Sequence, residues 1–185
     1  MTIKLIFSLF ILVILHSCRH DNHIRTYQLT KTTTTGNAPK IEAPKNKFTD
    51  FIWEKPDSWI PSSGSSMRLA SFDVPYSEGI GDLSVIQLGG SGGGLEANVN
   101  RWRRQLNLEP QSLLEIEKEM IENKGDMGIY NVIKIINEDL GSAFLCAILP
   151  AGNKTLFVKL SANPKGIREM ETDFISFCSS LVSSI

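Results

Sequence analysis

The chain has 185 residues, and its 19 Lys and Arg residues nearly balance 20 Asp and Glu residues, for a formal net charge of -1. A chain this close to neutral has no general electrostatic attraction for nucleic acid, which excludes that class of partner. Hydrophobic residues make up 42% of the chain, enough for a packed core, so a wholly disordered protein is also excluded. The length suits one domain with a tail.

Residues 1–17 have the pattern of a signal peptide. Lys4 precedes an apolar run over 5–15, which is too short for a membrane-spanning helix of about 20 residues. The tetrapeptide Leu15-His16-Ser17-Cys18 resembles a bacterial lipobox, although His16 departs from the small or β-branched residue usual at its position. This resemblance implies cleavage before Cys18, a lipid on that cysteine and a membrane anchor in the bacterial cell envelope.

Two details bear on this anchor. Arg19 stands where an Asp would signal retention in the inner membrane, which favours the outer membrane. An ordinary secretory signal and an uncleaved anchor are the alternatives.

Residues 18–47 predict a flexible tether. The segment is polar, contains a run of four threonines over 32–35, and has no apolar periodicity with which to bury a core. His20 and His23 lie within it, and a floppy chain gives them no fixed geometry for a metal ion. The remaining residues, 48–185, are predicted to form a single globular domain.

The first half of the domain predicts strands followed by helices. A short strand and turn are expected over 48–59, and the alternation over 66–74 is typical of a strand. A third strand over 83–88 is entered through a turn at 79–81 and leads into the glycine-rich loop Gly89–Gly94. Helical spacing follows over 95–106, and Ser112 with Glu115 predicts a capping box that opens a second helix through about Asn123.

The second half predicts three strands and a closing helix. Apolar, β-rich runs occupy 129–136, 142–149 and 155–162, with turn residues between them. Asn163 and Pro164 suit the N-cap and first position of a last helix that runs to about Ser183. The expected fold is therefore α+β, with a mainly antiparallel sheet of about six strands flanked by helices.

Three motifs in the domain resemble an uncharacterised bacterial lipoprotein family. They are a Trp-x-x-Pro-x-x-Trp opening over 53–59, the run Met-Arg-Leu-Ala-Ser-Phe over 67–72, and Ala-Asn-Val-Asn-Arg-Trp-Arg-Arg-Gln over 97–105. The order of elements also resembles the α/β/α sandwich of PsbP-like proteins. Since members of that fold are mostly accessory or binding proteins, the resemblance implies a non-catalytic role.

The glycine-rich loop and the helix after it form the most informative stretch. Glycines let the backbone approach a ligand, and a helix N-terminus offers free N–H groups to an anion. A P-loop is excluded because no Gly-Lys-Ser/Thr closes the loop, and a dinucleotide site is excluded because the later acidic residue falls in a helix. The candidate binding residues are Gly90, Gly92, Gly93, Asn98, Arg101, Arg104 and Gln105.

The helix after the loop has two distinct faces. Asn98, Arg101 and Gln105 share one face, which is either solvated or a partner-binding surface, while Val99, Trp102 and Leu106 are predicted core. A mobile loop beside a solvated helix face is the alternative to a binding site. The alternative for Arg101 is an internal ion pair with Asp73 or Asp82. Arg68, which shares a strand face with Phe72, also needs a partner.

Catalytic chemistry has little support in the sequence. Residues 48–185 contain no histidine, and the paired glutamates lie on predicted helix surfaces. Cys146 and Cys178 are expected to be buried free thiols, although an oxidising compartment would permit a disulfide. We therefore expect no catalytic residue, no metal and no cofactor.

Two functions remain open. The first is a lipid-anchored, non-catalytic envelope protein that binds another envelope protein. The alternative is a binder of a small anionic ligand or envelope glycan at Gly89–Gly94, with Trp53 or Trp59 as a stacking surface. A concave pocket at the loop favours the ligand, whereas a flat face with an exposed apolar rim favours the protein.

Overall fold

The structure is a computed structural model that describes residues 50–184. The predicted signal peptide (1–17), the tether (18–47) and the lipidation site at Cys18 lie outside the described residues. No helix within 50–184 is both long enough and apolar enough to cross a membrane.

Nine strands and three helices make up this part of the chain. The strands are β1 (Phe51–Ile52), β2 (Ile60–Pro61), β3 (Arg68–Tyr76), β4 (Gly79–Gly89), β5 (Ile121–Gly125), β6 (Gly128–Asn137), β7 (Ser142–Ala151), β8 (Lys154–Ala162) and β9 (Val182–Ser183). The helices are α1 (Leu95–Gln105), α2 (Leu113–Glu119) and α3 (Pro164–Ser179).

Seven of the strands form one antiparallel sheet in the order β2-β3-β4-β8-β7-β6-β5. Its centre is the pairing of β8 with β4 and β7, where Leu160 lies opposite both Leu83 and Leu145. β1 and β9 pair separately, with Phe51 opposite Ser183. The α+β fold with an antiparallel sheet and flanking helices is confirmed, and the sheet has one strand more than the six expected.

The sheet separates two hydrophobic cores because alternate side chains of a strand point to opposite faces. On β7, Leu145 and Ala147 belong to the core under α3. Phe144 and Cys146 of the same strand belong to the core under α1 and α2. The molecule is thus layered as helix, sheet and helix.

Aromatic residues dominate the α3 side. Trp59 is 2% exposed and its ring centroid lies 5.2 Å from that of Phe177 and 6.1 Å from that of Phe72. Trp53 is half-buried and packs against the same two phenylalanines. Since burial of one large side chain contributes about 1.5–3 kcal/mol, this cluster ties the first residues of the domain to α3. Trp59 is therefore a core residue and offers no stacking surface to a ligand.

Helix α1 covers only part of the other face. Val99, Trp102 and Leu106 are buried as expected, and the Trp102 ring centroid lies 6.1 Å from that of Phe157 on β8. The apolar side chains that pack under α1 and α2 come from β6, β7, β8 and the C-terminal end of β4. None comes from β2 or β3.

The second predicted helix is shorter than expected. The capping box at Ser112 and Glu115 is present, but α2 ends at Glu119, and β5 occupies residues that were predicted to be helical through Asn123. Pairing with β6 explains the difference, because Ile121 lies opposite Val132 and a two-residue turn joins the two strands. A Cβ on Gly125 would lie 2.7 Å from backbone atoms of Ser179, so this strand end needs glycine.

Two other boundaries differ from the prediction. The expected turn at 79–81 belongs to β4, and the turn lies at Ser77 and Glu78 instead, where Glu169 accepts hydrogen bonds from the N–H and hydroxyl of Ser77. The last helix ends at Ser179, not near Ser183, because Val182 and Ser183 pair with β1. The predicted N-cap at Asn163 is confirmed, since its side chain accepts from Gly166 N at 2.7 Å.

Candidate functional site

The glycine-rich loop is held in place by specific contacts. Gly90 N donates to Asn153 O at 2.9 Å, and the Thr155 hydroxyl donates to Gly90 O at 2.7 Å. Gly92 has a φ of 63° and is buried, and a Cβ there would lie 2.5 Å from the Phe157 ring. The loop is thus packed onto β8.

Asn98 explains how the loop meets the helix. Its side chain is buried, with 2% exposed, and its amide nitrogen donates to Gly92 O at 2.9 Å and to Gly94 O at 2.7 Å. These two bonds use both amide donors. Asn98 therefore supports the loop backbone and does not share the exposed surface of Arg101 and Gln105, as its position on the helix had led us to expect.

A cavity of about 400 Å³ lies beside the loop. Its lining includes Gly90, Leu95, Ile148 and Phe157, and it is mainly apolar. The one charged lining residue, Lys154, pairs with Asp50 at 3.4 Å. No arginine of α1 lines this cavity, so the loop glycines (Gly90, Gly92 and Gly93) and the arginines, predicted as one site, are separated in the structure.

The polar residues of α1 lie further along the helix. Arg101 and Arg104 are exposed, and neither forms an ion pair with any residue of 50–184. Gln105 accepts a hydrogen bond from Lys159 Nζ of β8 at 3.1 Å. The ammonium of Lys159 also lies 4.4 Å from the centroid of the Phe144 ring, and burial lowers its pKa.

Arg68 does not share a strand face with Phe72 as predicted, because a bulge between Arg68 and Ala70 turns its side chain to the opposite face, where it meets Asp82. Its guanidinium makes a bidentate pair with Asp82, at 2.8 and 2.9 Å, and the hydrogen bond to Asp82 raises the arginine pKa. Because Asp82 is engaged by Arg68, it is not the internal partner proposed for Arg101.

This ion pair lies on a part of the sheet that carries no helix. Phe72 and Val74 of β3 face the α3 core, so Asp73 and Pro75 point to the opposite side. Ile60 lies opposite Asp73, and Ile80 lies opposite Pro75. We call this surface the open face; it consists of Ile60, Arg68, Asp73, Pro75, Ile80 and Asp82.

The open face combines exposed apolar side chains with a charged centre. Ile60 is 61% exposed and Ile80 is 68% exposed, although both sit in regular strands. Sequence reasoning missed these residues because their exposure depends on which strands the helices cover. The available signal was Pro75 between Val74 and Tyr76, since proline is largely confined to the edges of sheets.

The two domain thiols are placed for packing. Cys146 and Cys178 are free and buried, as expected, and they belong to the two different cores on opposite sides of the sheet. Burial raises the pKa of both thiols well above the usual value, which keeps them protonated. Within 50–184, no group of three or more His, Cys, Asp or Glu side chains is arranged to hold a metal ion.

Comparison with known proteins gives structural neighbours only. No protein-family model matches the chain, and no curated protein matches it. A solution structure of cyanobacterial PsbP (CyanoP) from Synechocystis sp. PCC 6803 is 15% identical, covers 80% of this chain and 98% of its own, and has a TM-score of 0.48. A crystal structure from Bacteroides thetaiotaomicron VPI-5482 is also 15% identical, with a TM-score of 0.45. The match to the Bacteroides protein covers 72% of this chain but only 44% of that one. No shared function follows from likenesses of this degree.

Proposed function

We propose that the chain is a lipid-anchored, non-catalytic protein of the bacterial cell envelope whose domain binds another envelope protein through the open face. One observation carries the proposal: Ile60 and Ile80 are largely exposed on a sheet surface that no helix covers. Exposed apolar side chains beside a few charged groups are typical of a protein interface.

The helix residues singled out in sequence would form one border of this interface. Gln105 contacts Lys159, and β8 is the strand next to β4 on the side away from β3. Arg101 lies one helical turn before Gln105, on the same flank of α1. Neither Arg101 nor Arg104 is neutralised by an ion pair within 50–184, so both remain available to acidic groups of a partner.

The anchor is supported by the sequence alone. The apolar run over 5–15, followed by Ser17 and Cys18, is the basis for lipidation, and Arg19 is the basis for an outer-membrane position. A lipid on Cys18 would hold the domain at the membrane by way of the segment 18–47.

The small-ligand alternative is favoured by the cavity of about 400 Å³ beside the loop. Its apolar lining suits an uncharged group better than an anion, because its one lysine is already paired with Asp50. A glycan would also need aromatic stacking, and Trp59 is buried while Trp53 packs on Phe72 and Phe177. The open face is therefore the better supported site.

The proposal is tested by crosslinking the full lipoprotein in native envelopes and recovering what it contacts. Wild type is compared with an Ile60→Lys/Ile80→Lys variant and with Arg101→Ala/Arg104→Ala. Leu114→Lys is the matched control, because Leu114 is 62% exposed on α2, away from the open face. Urea denaturation confirms that each variant is folded.

We expect one defined protein to be recovered with wild type and Leu114→Lys, and lost or much reduced with the open-face variant. The arginine variant should reduce recovery less, because these residues lie at the border. Equal recovery by wild type and the open-face variant, or no enriched protein at all, would contradict the proposal. Screening of the soluble domain with glycans and small anions would then test the loop cavity.

A further inference from the structure

The two ends of the seven-stranded sheet differ greatly. β2, at one end, has two residues, and β3 behind it carries Pro75, which has no N–H to offer another strand. β5, at the other end, has five residues and pairs only with β6 among residues 50–184. An edge strand of this length presents hydrogen-bonding groups to another chain.

The turn between β5 and β6 decides which backbone groups point outward. Gly125 and Gly128 flank a two-residue turn, so they form the hydrogen-bonded pair that closes the hairpin. Bonded pairs recur at every second residue, which makes Asn123 the next residue to bond with β6. The N–H and C=O groups of Glu122 and Lys124 therefore point away from the sheet.

We propose that a second copy of this chain pairs antiparallel with β5, about a twofold axis at Asn123, and that the two sheets become continuous. Around this axis, Glu122 lies opposite Lys124 of the partner subunit, and Lys124 lies opposite the partner's Glu122. These are the residues whose backbone groups point outward, so all of those groups find partners in the same register.

The charges of β5 select this register. Glu122 and Lys124 are exposed on the same face of the strand, and neither forms an ion pair within 50–184. The twofold pairing gives two cross-strand pairs of opposite charge. An axis at Glu122 or at Lys124 would instead place like charges opposite each other, and a one-residue slip would turn the charged side chains to opposite faces.

The other face of β5 also takes part in this contact. Ile121 is 54% exposed, and in this register it lies opposite the partner's Gly125, on the face where the backbone of Ser179 lies over that glycine. Gly125 itself is fixed by the close approach of Ser179. The pairing thus covers an apolar residue that is exposed in the single chain.

Disulfide trapping tests the axis directly. In the full chain, Asn123→Cys would place two thiols opposite each other at the axis, in a pair whose backbone groups face away from each other and whose side chains are close. We expect mild oxidation to give a disulfide-linked dimer. Wild type measures any crosslinking through the cysteines already present in the chain. Lys118→Cys, exposed on α2, is the off-axis control.

Charge exchange tests the register. The full chain in detergent is examined by sedimentation at concentrations up to about 1 mM, because an interface below about 1,200 Å² is weak. Glu122→Lys alone and Lys124→Glu alone should each weaken dimer formation about tenfold, since each places like charges opposite in both pairs. The double exchange Glu122→Lys/Lys124→Glu should restore the wild-type constant.

When Asn123→Cys is combined with each charge exchange, the yield of disulfide-linked dimer should fall in both single exchanges and recover in the double exchange. Failure of Asn123→Cys to crosslink above the Lys118→Cys control overturns the proposal. Equal dimerisation of the single exchanges and wild type, or a double exchange that does not recover, overturns it as well. Crosslinking only to a different protein would show that β5 accepts another partner, which contradicts self-pairing.

Discussion

Asn98 links the glycine-rich loop to α1 through a single buried side chain. Its amide donates to the carbonyls of Gly92 and Gly94, and Asn98 is 2% exposed. A buried carbonyl that loses its donor incurs its full desolvation cost, so the geometry of the loop depends on this residue.

We expect Asn98→Ala to lower the free energy of unfolding by about 1–3 kcal/mol, because the buried Gly92 carbonyl loses its side-chain donor, whereas the Gly94 carbonyl keeps the backbone N–H of residue 98. Arg101→Ala, one turn along the helix and exposed, should change it by less than about 0.5 kcal/mol. Urea denaturation of the two variants beside wild type measures both effects. A loss below about 0.5 kcal/mol in Asn98→Ala would contradict its role as the support of the loop, and a loss above about 1 kcal/mol in Arg101→Ala would show that Arg101 is structural.

The sequence predicted these residues only in part. Helical spacing correctly separates Val99 and Trp102 from Arg101, because periodicity gives the direction of a side chain around the helix axis. It does not give what lies in that direction, and Asn98 points to a loop that folds back onto β8. Arg68 was expected to need a partner, and Asp82 supplies it across β3 and β4.

Among the elements, α2 is a short helix whose start is held by a local interaction. It has seven residues, and the N–H and hydroxyl of Ser112 both donate to Glu115 Oε2 at 2.7 Å. These bonds lower the pKa of Glu115 because they favour the charged carboxylate. A pKa that is lower in the folded state stabilises the fold above the pKa of the unfolded chain, and this contribution is lost as the pH falls through the folded value.

A Glu115→Gln variant isolates the charge, because glutamine still has an oxygen that accepts the hydrogen bonds. At pH 7 we expect wild type to melt at a higher temperature than the variant. The gap should close as the pH falls below about 4, where the carboxyl becomes protonated. Melting curves of both proteins between pH 7 and pH 3 measure the gap, and a gap that stays constant would show that the charge does not matter.

Element boundaries were predicted well where local chemistry marks them. Asn163 and Pro164 start α3, and the turns on either side of β7 fall where the glycines, asparagines and aspartate predicted them. β5 was missed because Ile-Glu-Asn-Lys-Gly has no alternation of apolar and polar residues and follows a helix directly. Its conformation comes from pairing with β6, a tertiary contact that local sequence does not specify.

At the level of the whole molecule, the sheet separates the two cysteines. Cys146 faces α1 and α2, Cys178 faces α3, and both are buried. In a Cys18→Ser chain, we expect a thiol reagent to find no reactive thiol in the native state and two after unfolding in urea. Detection of fewer than two thiols after unfolding would indicate a disulfide, which this layering does not allow.

The layered architecture followed from the sequence because the order of strands and helices leaves few ways to bury their apolar faces. The position of the open face did not, since it depends on how far α1 and α2 extend across the sheet. That extent is decided by contacts such as Trp102 with Phe157, between residues far apart in the chain.

The pairing of β1 with β9 gives the domain a mechanical property. Phe51 lies opposite Ser183, and Ser184 N donates to Asp50 O at 2.7 Å, so the two ends of the described chain are held side by side. Tension applied at residue 50 would break these hydrogen bonds one after another. It would then have to pull Phe51, which is 5% exposed, out of the core. Since β1 and β9 form a sheet separate from the seven-stranded one, these bonds can open under load without breaking a hydrogen bond of the larger sheet.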